Sequence, residues 1–426
     1  MKKILHLFLA ALFLSFLSLP ARAQDDLRLS SSTQFILGDD LLGESQSILA
    51  QYIRLGYKPQ ANLSVTGYGR LWMNFTGEGI RDDDLSGRLY YFYLDYSPAD
   101  VVGLRLGRQY VNFTAGSAIM DGLTVKLRDL GPVGLTLSGG MDVKFGLDED
   151  HSRLGNYFFG ADLHLMSLKP VQAGVSYVRK YDEWDNSREE FGANIRGFFG
   201  PVSPYAEVRY DNLSEAIDEA TVGVDIYPAP ELFLELEFYH AYPTFDSTSI
   251  YSVFAVDKYQ EYLLAAEYRL TEPLTVFASY AKQYYEDGDD DDADRFRVGA
   301  RYETTEKLTL NGFMDLRQGF GGDIWGFEIT GDYRTGKRLL ISAGAQYDIY
   351  ERPEEFTPSE LIPEEDPGTQ YATRLWLGAE YLLSKNVSVA ARVEENINES
   401  FDHRPQAYVV LTFNPLLAWK GGTDEK

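Results

Sequence analysis

The chain has no cysteine among its 426 residues. It therefore has no disulfide, no thiolate metal site, no covalently attached c-type haem and no cysteine nucleophile. Histidine is also scarce, with five residues scattered along the chain. Beyond the N-terminus, no apolar run is long enough to cross a bilayer as a helix. These absences exclude thiol chemistry and helical membrane proteins.

Basic residues are in a clear minority. Lys and Arg number 39 against 65 Asp and Glu, which gives a formal net charge of −26. Nucleic acid is therefore excluded as a partner, because phosphate binding needs a basic surface. Aromatic residues are abundant at 14%, and there are 38 glycines. With moderate hydrophobicity, this composition favours many strands joined by tight turns over helices.

The first 23 residues have the features of a secretory signal peptide. Lys2-Lys3 precedes an apolar run over residues 4–19, and Ala21-Arg22-Ala23 is a small-x-small cleavage site. A transmembrane anchor would be longer and would lack this exit sequence. We therefore expect residues 1–23 to be removed and the mature chain to cross the inner membrane.

From Leu27 to Phe413, apolar and polar side chains alternate in segments of about ten residues. Segment 63–75 is typical, with Leu71 and its apolar neighbours on one face and polar or aromatic residues on the other. A period of two is the signal of a β-strand, because successive side chains point to opposite faces of a sheet. The segments predict about 22 strands, within a range of about 18 to 22.

The connections between these segments alternate between short and long. Short ones carry turn chemistry, as at Ser97-Pro98-Ala99-Asp100 and Thr335-Gly336-Lys337. Most of the others are longer and more acidic, and lie at 38–46, 76–86, 146–154, 183–189, 243–257, 286–293, 352–368 and 398–404. Three of the second set are brief, near 114–118, 213–216 and 319–322. Short turns at one rim and longer loops at the other are typical of bacterial outer-membrane barrels.

A soluble sheet made of such strands would leave either an apolar face or two open edges in water. A closed barrel in a membrane pairs every edge group and gives its apolar face to lipid. We therefore predict an all-β fold, a transmembrane antiparallel up-and-down β-barrel over residues 24–413, with short periplasmic turns and longer acidic extracellular loops. A soluble β-sandwich or propeller array is the alternative, but no blade repeat is present.

The last segment, residues 407–413, alternates apolar and polar side chains and ends in Phe413. It resembles the terminal assembly signal of the outer-membrane porins of Gram-negative bacteria. The resemblance implies that the barrel-assembly machinery recognises this strand, and that the barrel lies among outer-membrane lipid and lipopolysaccharide. The chain departs from that pattern in residues 414–426, which we expect to form a short periplasmic tail.

A second pattern consists of Gly107-Arg108-Gln109 followed by Asp121-Gly122. It is similar to a Gly-Arg-Gln and Asp-Gly pairing in alginate-export-like and other poorly described porins. Strict alternation from Arg105 aims Arg108 at lipid, where a charge at mid-depth costs about 2–4 kcal/mol. A bulge at Gly107 would turn Arg108 into the lumen, and a position near the rim would let it snorkel. Arg108 then belongs either to a constriction lined by Arg and carboxylates or to a structural ion pair between strands.

Charged residues in the middle of strands are expected to face the lumen. The predicted pore-lining residues are Arg70, Arg105, Arg108, Lys126, Arg209, Glu235, Glu237, Arg297, Arg301, Asp315, Arg317, Arg374 and Arg392. Across the inward faces both signs are mixed, so we expect a wetted wall with internal ion pairs rather than a ring of one sign. The negative charge of the whole chain favours cations.

Little in the sequence points to metal, cofactor or catalytic chemistry. The acidic loops at 81–84 and 286–294 carry oxygen ligands suited to Ca²⁺ or Mg²⁺, but their spacing is not that of an EF-hand. A solvated, self-repelling loop is the expected structure. His151 and His403 lie among acidic residues in loops without the partners of a catalytic site. We therefore expect no cofactor, no metal site and no enzyme activity.

The expected function is that of a porin, a water-filled channel for passive passage of small hydrophilic solutes or ions. With the first strand near Leu27, little chain is left for an N-terminal plug, so we expect loops such as 243–257 and 352–368 to fold inward. If another protein fills the lumen, the barrel is the sheath of a multi-protein conduit of the porin–cytochrome type. A structural or adhesive barrel with a blocked lumen is a third hypothesis. A homo-oligomer, or a periplasmic or extracellular partner, is compatible with all three.

Overall fold

The computed structural model describes residues 27–39, 45–76, 85–145, 150–165, 169–242, 258–286, 292–304, 307–320, 322–351, 369–398 and 401–414. The predicted signal peptide and the loops at 243–257 and 352–368 lie outside these residues, as does nearly all of the predicted C-terminal tail. Within the described ranges, no helix is long and apolar enough to cross a membrane.

The described residues form 22 strands, each running antiparallel to its neighbours. The strands are β1 (Leu27–Asp39), β2 (Ser45–Gln60), β3 (Leu63–Asn74), β4 (Ser86–Ala99), β5 (Val102–Phe113), β6 (Gly116–Leu130), β7 (Val133–Phe145), β8 (Asp150–Leu165), β9 (Val171–Asp182), β10 (Asp185–Gly197), β11 (Val202–Asp211), β12 (Ala216–Ala229), β13 (Leu232–Ala241), β14 (Tyr259–Thr271), β15 (Leu274–Tyr285), β16 (Asp292–Thr304), β17 (Leu308–Gly319), β18 (Asp323–Thr335), β19 (Leu339–Glu351), β20 (Thr369–Ser384), β21 (Val387–Asn398) and β22 (Phe401–Phe413).

The first and last strands pair with each other and close the sheet into a barrel. Their ladder runs from Ser31 opposite Phe413 to Leu37 opposite Ala407. Every other strand pairs with the strands before and after it in the sequence. The predicted antiparallel up-and-down barrel of about 22 strands is therefore confirmed, with the first strand beginning at Leu27 and the last ending at Phe413.

The alternation of side chains gives the barrel two different surfaces. Residues opposite each other in an antiparallel pair lie on the same face of the sheet, so the pairing register carries one face around the barrel. The face that includes Leu106, Leu137 and Val175 is apolar, and these three side chains are 59%, 44% and 53% exposed. Exposure of so many large apolar side chains identifies this face as the one toward lipid. The opposite face, which carries the charged residues, surrounds the lumen.

Several connections are shorter than the sequence predicts. β8 begins at Asp150 and β22 at Phe401, so only 146–149 and 399–400 connect the strands where loops are expected over 146–154 and 398–404. β9 ends at Asp182 and β10 begins at Asp185, so Glu183 and Trp184 alone replace the longer loop expected over 183–189. That expectation is wrong because the turn is tight: Glu183 and Trp184 have φ of 50° and 76°. Positive φ at both central residues is typical of a type I′ hairpin. Such a turn is usually predicted from Asn or Gly at these positions, and this sequence has Glu and Trp there. The brief connections expected near 114–118, 213–216 and 319–322 are present.

Candidate solute pathway

The end of the β5–β6 hairpin leaves the barrel wall. β5 pairs with β4 only as far as Arg108, yet it stays paired with β6 up to their common turn. β6 in turn pairs with β7 only from Met120 onward. Residues 109–119, which we call the inward hairpin, therefore have no neighbouring strand on either side. Because this hairpin is not paired with β4 or β7, it is not part of the barrel wall, and its contacts with other strands determine its position.

The tip of the inward hairpin lies against the inner surface of β9 and β10. The backbone nitrogen of Ala115 donates a hydrogen bond of 2.8 Å to Oγ of Ser176, and Nδ2 of Asn194 donates one of 2.5 Å to Oγ1 of Thr114. Ser176 and Asn194 lie in the halves of their strands that are nearer the short turns and the chain termini. The tip therefore reaches back into the barrel instead of extending above its rim.

An apolar cluster holds the inward hairpin to the wall. It consists of Val111, Ala115, Ala118 and Met120 from β5, β6 and their turn, with Phe158 on β8 and Val178 on β9. Ala115, Met120, Phe158 and Val178 are completely buried. Burial of one large apolar side chain contributes about 1.5–3 kcal/mol where the alternative is water. Because the lumen side of a barrel is wet, this cluster stabilises the docked position of the hairpin.

Two glycines make the inward course possible. Gly107, just before the last residue that pairs with β4, has φ of 124°, and a Cβ there would collide with the carbonyl oxygen of Phe92. A Cβ on Gly192 of β10 would collide with the backbone nitrogen of Ala115. The first glycine supplies a conformation that other residues rarely adopt, and the second allows the tip to approach the wall closely.

Arg108 and Asp121 form an ion pair at the base of the inward hairpin. Nε and Nη2 of Arg108 donate to the two carboxylate oxygens of Asp121 at 2.9 and 2.8 Å, and Nη1 donates to the carbonyl oxygen of Leu89 at 3.1 Å. Both ladders of β5 pass Gly107 without a register shift, so no bulge turns Arg108 into the lumen. Arg108 stays on the face of Leu106, and its geometry is that of a structural pair between strands.

Gln109 also binds β6 at the base of the inward hairpin, on the side that faces the lumen. It is 1% exposed, and its Nε2 donates to the carbonyl oxygen of Gly122 at 3.0 Å. Its Oε1 accepts a hydrogen bond of 2.8 Å from Thr124, whose hydroxyl lies 2.9 Å from that of Ser138. The Gly-Arg-Gln and Asp-Gly pattern of the sequence therefore has a place in the fold: it fixes the point at which β5 and β6 leave the wall.

Side chains fill the space that the inward hairpin vacates in the wall. No ladder joins β4 to β7 among the described residues, although both strands continue past the base of the hairpin. The guanidinium of Arg88 on β4 lies 5.0 Å from the ring centroid of Phe145 on β7, and the rings of Tyr90 and Phe145 are 5.9 Å apart. These aromatic contacts bridge the two strands.

A polar recess of about 600 Å³ lies between the inward hairpin and the wall. Nδ1 of His164 and Oδ2 of Asp162 are 2.8 Å apart there. Charged and polar side chains of both elements line it, including Tyr110, Asn112 and Ser117 of the hairpin and Arg105, Lys126, Asp162, His164, Glu207 and Arg209 of the wall. Charges of both signs therefore meet at the level where the barrel is occupied by the hairpin.

A network of ion pairs lies on the wall beside the hairpin tip. Glu190 is completely buried, and its Oε1 accepts a hydrogen bond of 2.7 Å from Arg188. Arg209 binds Asp218 and lies 2.5 Å from Oε2 of Glu219. The charges of these strands are thus compensated within the wall, which gives the hairpin a fixed surface to lie on.

Two further ion-pair clusters lie elsewhere on the inward face. Asp315 binds both Arg297 and Arg295, the latter at 3.1 Å. Glu394 accepts hydrogen bonds from Arg374 at 2.7 Å and from Arg392 at 2.8 Å. Each cluster joins two arginines to one carboxylate. This arrangement agrees with the expectation of a lumen wall that carries charges of both signs and pairs them internally.

The other predicted lumen residues lie on the same inward face. Arg105 binds Asp95 at 2.8 Å, and Lys126 lies in the polar recess. The Tyr205 hydroxyl lies 3.1 Å from Oε1 of Glu235 and 2.6 Å from Oε2 of Glu237. Of the remaining three residues, Arg70 contacts the rings of Tyr52 and Trp72. Arg301 donates to Asn311 at 3.3 Å and lies 4.0 Å from Oε1 of Glu303, and Arg317 donates to the carbonyl oxygen of Phe320 at 2.6 Å. The alternation of β3, β5, β6, β11, β13, β16, β17, β20 and β21 therefore places every predicted residue except Arg108 on the inward face.

Sequence reasoning missed the inward hairpin, and with it Tyr110, Asn112 and Ser117. The alternating pattern continues through residues 109–119 as if they formed part of the wall. The available signal was the density of small residues: glycine or alanine occupies 107, 115, 116, 118 and 122 within one hairpin. Small residues at such spacing permit a close approach between backbones, but they do not indicate which strands of the wall the hairpin approaches.

Comparisons with known proteins agree with this architecture. Among solved structures, the siderophore receptor PirA from Pseudomonas aeruginosa has a TM-score of 0.61 and 13% identity, with 92% of this chain and 80% of that chain covered. The translocation pore of the P pilus usher PapC has a TM-score of 0.52 and 11% identity, with 91% and 99% covered. Pseudomonas aeruginosa OccK3 has a TM-score of 0.44 and 12% identity, with 92% and 96% covered. At these identities the likeness to PirA and to the PapC pore concerns the barrel fold alone.

Sequence comparison identifies the family. No curated protein matches the chain. A family model described as Gram-negative porin matches residues 10–352, which is most of the sequence. The match and the closed barrel together make the protein an integral outer-membrane channel and not an enzyme, as the sequence predicts. The chain belongs to the Gram-negative porin family.

Proposed function

We propose that this porin forms a water-filled channel for passive passage of small hydrophilic solutes or ions, and that the inward hairpin narrows it. The docked position of residues 109–119 is the observation that carries the proposal, because the hairpin occupies part of the lumen while lying flat on one side of it. Tyr110, Asn112 and Ser117, on the surface of the hairpin away from the apolar cluster, are exposed. A narrowed passage with a polar surface suits small hydrated solutes.

The charges of the proposed pore lining support weak selection by sign. Arg105, Arg209, Arg297, Arg374 and Arg392 all bind carboxylates of the wall. A paired arginine attracts a passing anion less than a free one, because its field is largely cancelled at a distance. We therefore propose that size, set at the inward hairpin, excludes solutes more strongly than charge does. Arg108 has a positioning role in this proposal, since it lies outside the lumen.

The proposed partners follow from the position of the last strand. Phe413 lies opposite Ser31 on β1 and Val387 on β21, so the strand that ends in Phe413 closes the barrel. Recognition of this strand by the barrel-assembly machinery would couple closure to insertion. A homo-oligomer remains a separate hypothesis, and chemical cross-linking of outer membranes before extraction tests it.

Swelling of liposomes that contain the purified protein tests the proposed function. We expect swelling in small sugars and amino acids and a decline with increasing solute size. Replacing residues 109–119 with a tight turn should raise the size limit, because the hairpin is then absent from the lumen. Shortening the turn at 320–322 is the matched control and should leave the size limit unchanged.

Each contrary result favours a different function. A barrel that admits no solute, with or without the hairpin, contradicts a channel and favours a structural or adhesive barrel with a blocked lumen. Passage of large polymers by the unaltered protein contradicts a narrowed pore and favours a sheath that has lost its partner. An unchanged size limit after removal of the hairpin contradicts its role in narrowing the channel.

A further inference from the structure

We propose that the inward face of β2–β4 binds a carboxylate carried on a six-membered ring, either an aromatic acid or a sugar acid. The proposal rests on the proposed function, since it names a class of solute for the channel. The site consists of Tyr52, Arg54, Tyr68, Arg70 and Tyr91, which we call the Arg–Tyr surface. All five face the lumen, because Leu71 on the other face of β3 is an exposed apolar residue.

The pairing register brings these residues together. Arg54 lies opposite Tyr68, and Tyr52 lies opposite Arg70, across the β2–β3 ladder. Tyr68 also lies opposite Tyr91 across the β3–β4 ladder. Cations and rings therefore alternate along and across β2 and β3, whereas the β3–β4 ladder places Tyr68 opposite Tyr91 and Arg70 opposite Arg88. A solute on this surface meets a ring and a guanidinium at the same time.

The two arginines of the surface lack the carboxylate partners found elsewhere on the wall. The guanidinium carbon of Arg54 is 5.1 Å from the ring centroid of Tyr68, and that of Arg70 is 5.9 Å from Tyr52 and 5.8 Å from Trp72. Among the described residues, neither arginine has a carboxylate within ion-pair distance. The Nε of Arg70 is buried and has no hydrogen-bond partner in that part of the chain. Their positive charges are therefore available to an anion.

The rings form a continuous series. The centroid of Tyr68 is 6.3 Å from that of Tyr52, 5.0 Å from Tyr90 and 5.5 Å from Tyr91. Tyr91 in turn is 5.8 Å from Tyr93, and the Tyr93 ring lies 4.2 Å from the guanidinium of Arg105 at the polar recess. The series thus leads from the Arg–Tyr surface to the level of the inward hairpin. A solute that slides along it stays in contact with aromatic surface.

The chemistry of the surface selects for both parts of the solute. Guanidinium groups donate paired hydrogen bonds to a carboxylate, which fits their planar geometry. Aromatic faces stack on another ring or on the apolar face of a pyranose. A simple carboxylate would use only the arginines, a neutral ring only the tyrosines, and a cation would be repelled. A carboxylate on a ring uses both.

A second aromatic series on another part of the wall provides an internal comparison. Tyr239, Tyr259, Tyr285 and Phe320 follow one another at centroid distances of 5.7, 5.5 and 4.1 Å. The Tyr239 hydroxyl donates a hydrogen bond of 3.1 Å to Glu219, and no arginine lies over the Tyr239 or Tyr259 ring among the described residues. The arginine beside this series, Arg317, already donates to the carbonyl oxygen of Phe320 at 2.6 Å and to the Tyr285 hydroxyl at 3.4 Å. With an acidic neighbour at Tyr239 and this arginine engaged, the series is expected to bind anions more weakly than the Arg–Tyr surface.

Isothermal titration calorimetry on the purified full-length barrel in detergent tests the site without requiring conduction. Benzoate and galacturonate represent the two kinds of ring acid, acetate lacks a ring, and benzyl alcohol lacks a charge. We expect saturable binding of at least one ring acid and none of acetate or benzyl alcohol. Arg54→Gln should weaken that binding by about tenfold, as expected for loss of a hydrogen bond to a charged group. Tyr68→Leu should weaken binding of the same acid.

Matched variants keep the result specific. Arg301→Gln removes an exposed inward-facing arginine from another strand, and Tyr285→Leu removes a ring of the second series; neither should change ring-acid binding. Equal binding of acetate, or equal loss in Arg301→Gln, overturns the proposal. Failure of ring acids to bind a barrel that conducts ions overturns the Arg–Tyr surface alone. Binding to a barrel that does not conduct preserves the surface and overturns the channel.

Discussion

The backbone nitrogen of Ala115, at the tip of the inward hairpin, donates a hydrogen bond of 2.8 Å to the hydroxyl of Ser176 on β9. Three strands, β6 to β8, separate the two residues in the chain, yet they meet inside the barrel. This contact defines where the hairpin lies. Most of the predictions for the channel depend on whether it persists in the membrane.

A cross-link between these positions tests the contact directly. Because the chain has no cysteine, the double variant Ala115→Cys with Ser176→Cys introduces the only two thiols. We expect a short thiol-to-thiol cross-linker to join them, since the Ala115 nitrogen lies 2.8 Å from the Ser176 hydroxyl and the two residues are therefore in contact. Intramolecular cross-linking is measured by the shift in gel mobility of a site-cleaved protein. Ala115→Cys paired with Ser279→Cys on β15 should not cross-link, and efficient cross-linking of that control would contradict a fixed hairpin.

Adding one methyl group to Gly192 should displace the hairpin. A Cβ at this position collides with the backbone nitrogen of Ala115, so Gly192→Ala leaves the barrel intact but disfavours docking. We expect greater cleavage of residues 109–119 by a protease added to the lumen side, and a larger size limit for solutes. Gly56→Ala also lies on the inward face, but its Cβ would be 3.8 Å from the nearest atom, so it should have no effect. Equal protease sensitivity in both variants would contradict close packing at Gly192.

Removing one partner of the Arg108–Asp121 ion pair should destabilise the barrel more than removing both partners. Asp121→Leu removes the carboxylate that binds Arg108 on the lipid face, which should lower the free energy of unfolding by up to about 4 kcal/mol. The double variant Arg108→Leu with Asp121→Leu should recover part of that loss, because no charge remains. Heat-dependent mobility on gels measures the change. Asp294→Leu leaves Lys282 bound to Asp292 at the start of β16 and is the control with a small expected effect.

Ion selectivity should respond to the carboxylate that two arginines share. Glu394→Gln removes the partner of Arg374 and Arg392, so both guanidinium charges become available in the lumen. We expect the reversal potential in a KCl gradient to shift toward anion preference. Glu272→Gln, in the turn between β14 and β15, removes one negative charge away from the inward face and should produce no shift. The same shift in both variants would mean that net charge, and not the freed arginines, sets selectivity.

Much of the fold is predictable from the sequence because a barrel strand repeats one simple rule. Alternation identifies Leu27 and Phe413 as the outer limits of the barrel, and it assigns Arg105 and Glu235 to the inward face by position alone. The rule works because every strand has lipid on one side and water on the other, so apolar and polar side chains must alternate along it. Prediction of 22 strands is therefore secure even where individual connections are wrong.

Features that depend on contacts between distant residues are not predictable in the same way. Residues 109–119 keep the alternation of a wall strand, and it is contacts with other strands, such as those of Ser176 and Gly192, that show that they fold inward. Alternation correctly aims Arg108 toward lipid, but it does not reveal that Asp121 neutralises the charge there. The two loops expected to narrow the lumen, 243–257 and 352–368, lie outside the described residues. The hairpin that does enter the barrel is one of its shortest connections.

Single-channel conductance in planar lipid bilayers tests the central claim most directly. The purified barrel alone is compared with a variant in which a tight turn replaces residues 109–119. The account predicts stable channels for the unaltered protein and a larger conductance for the variant, because the inward hairpin occupies part of an open lumen. A barrel that stays closed, or a conductance that is the same with and without the hairpin, would contradict it.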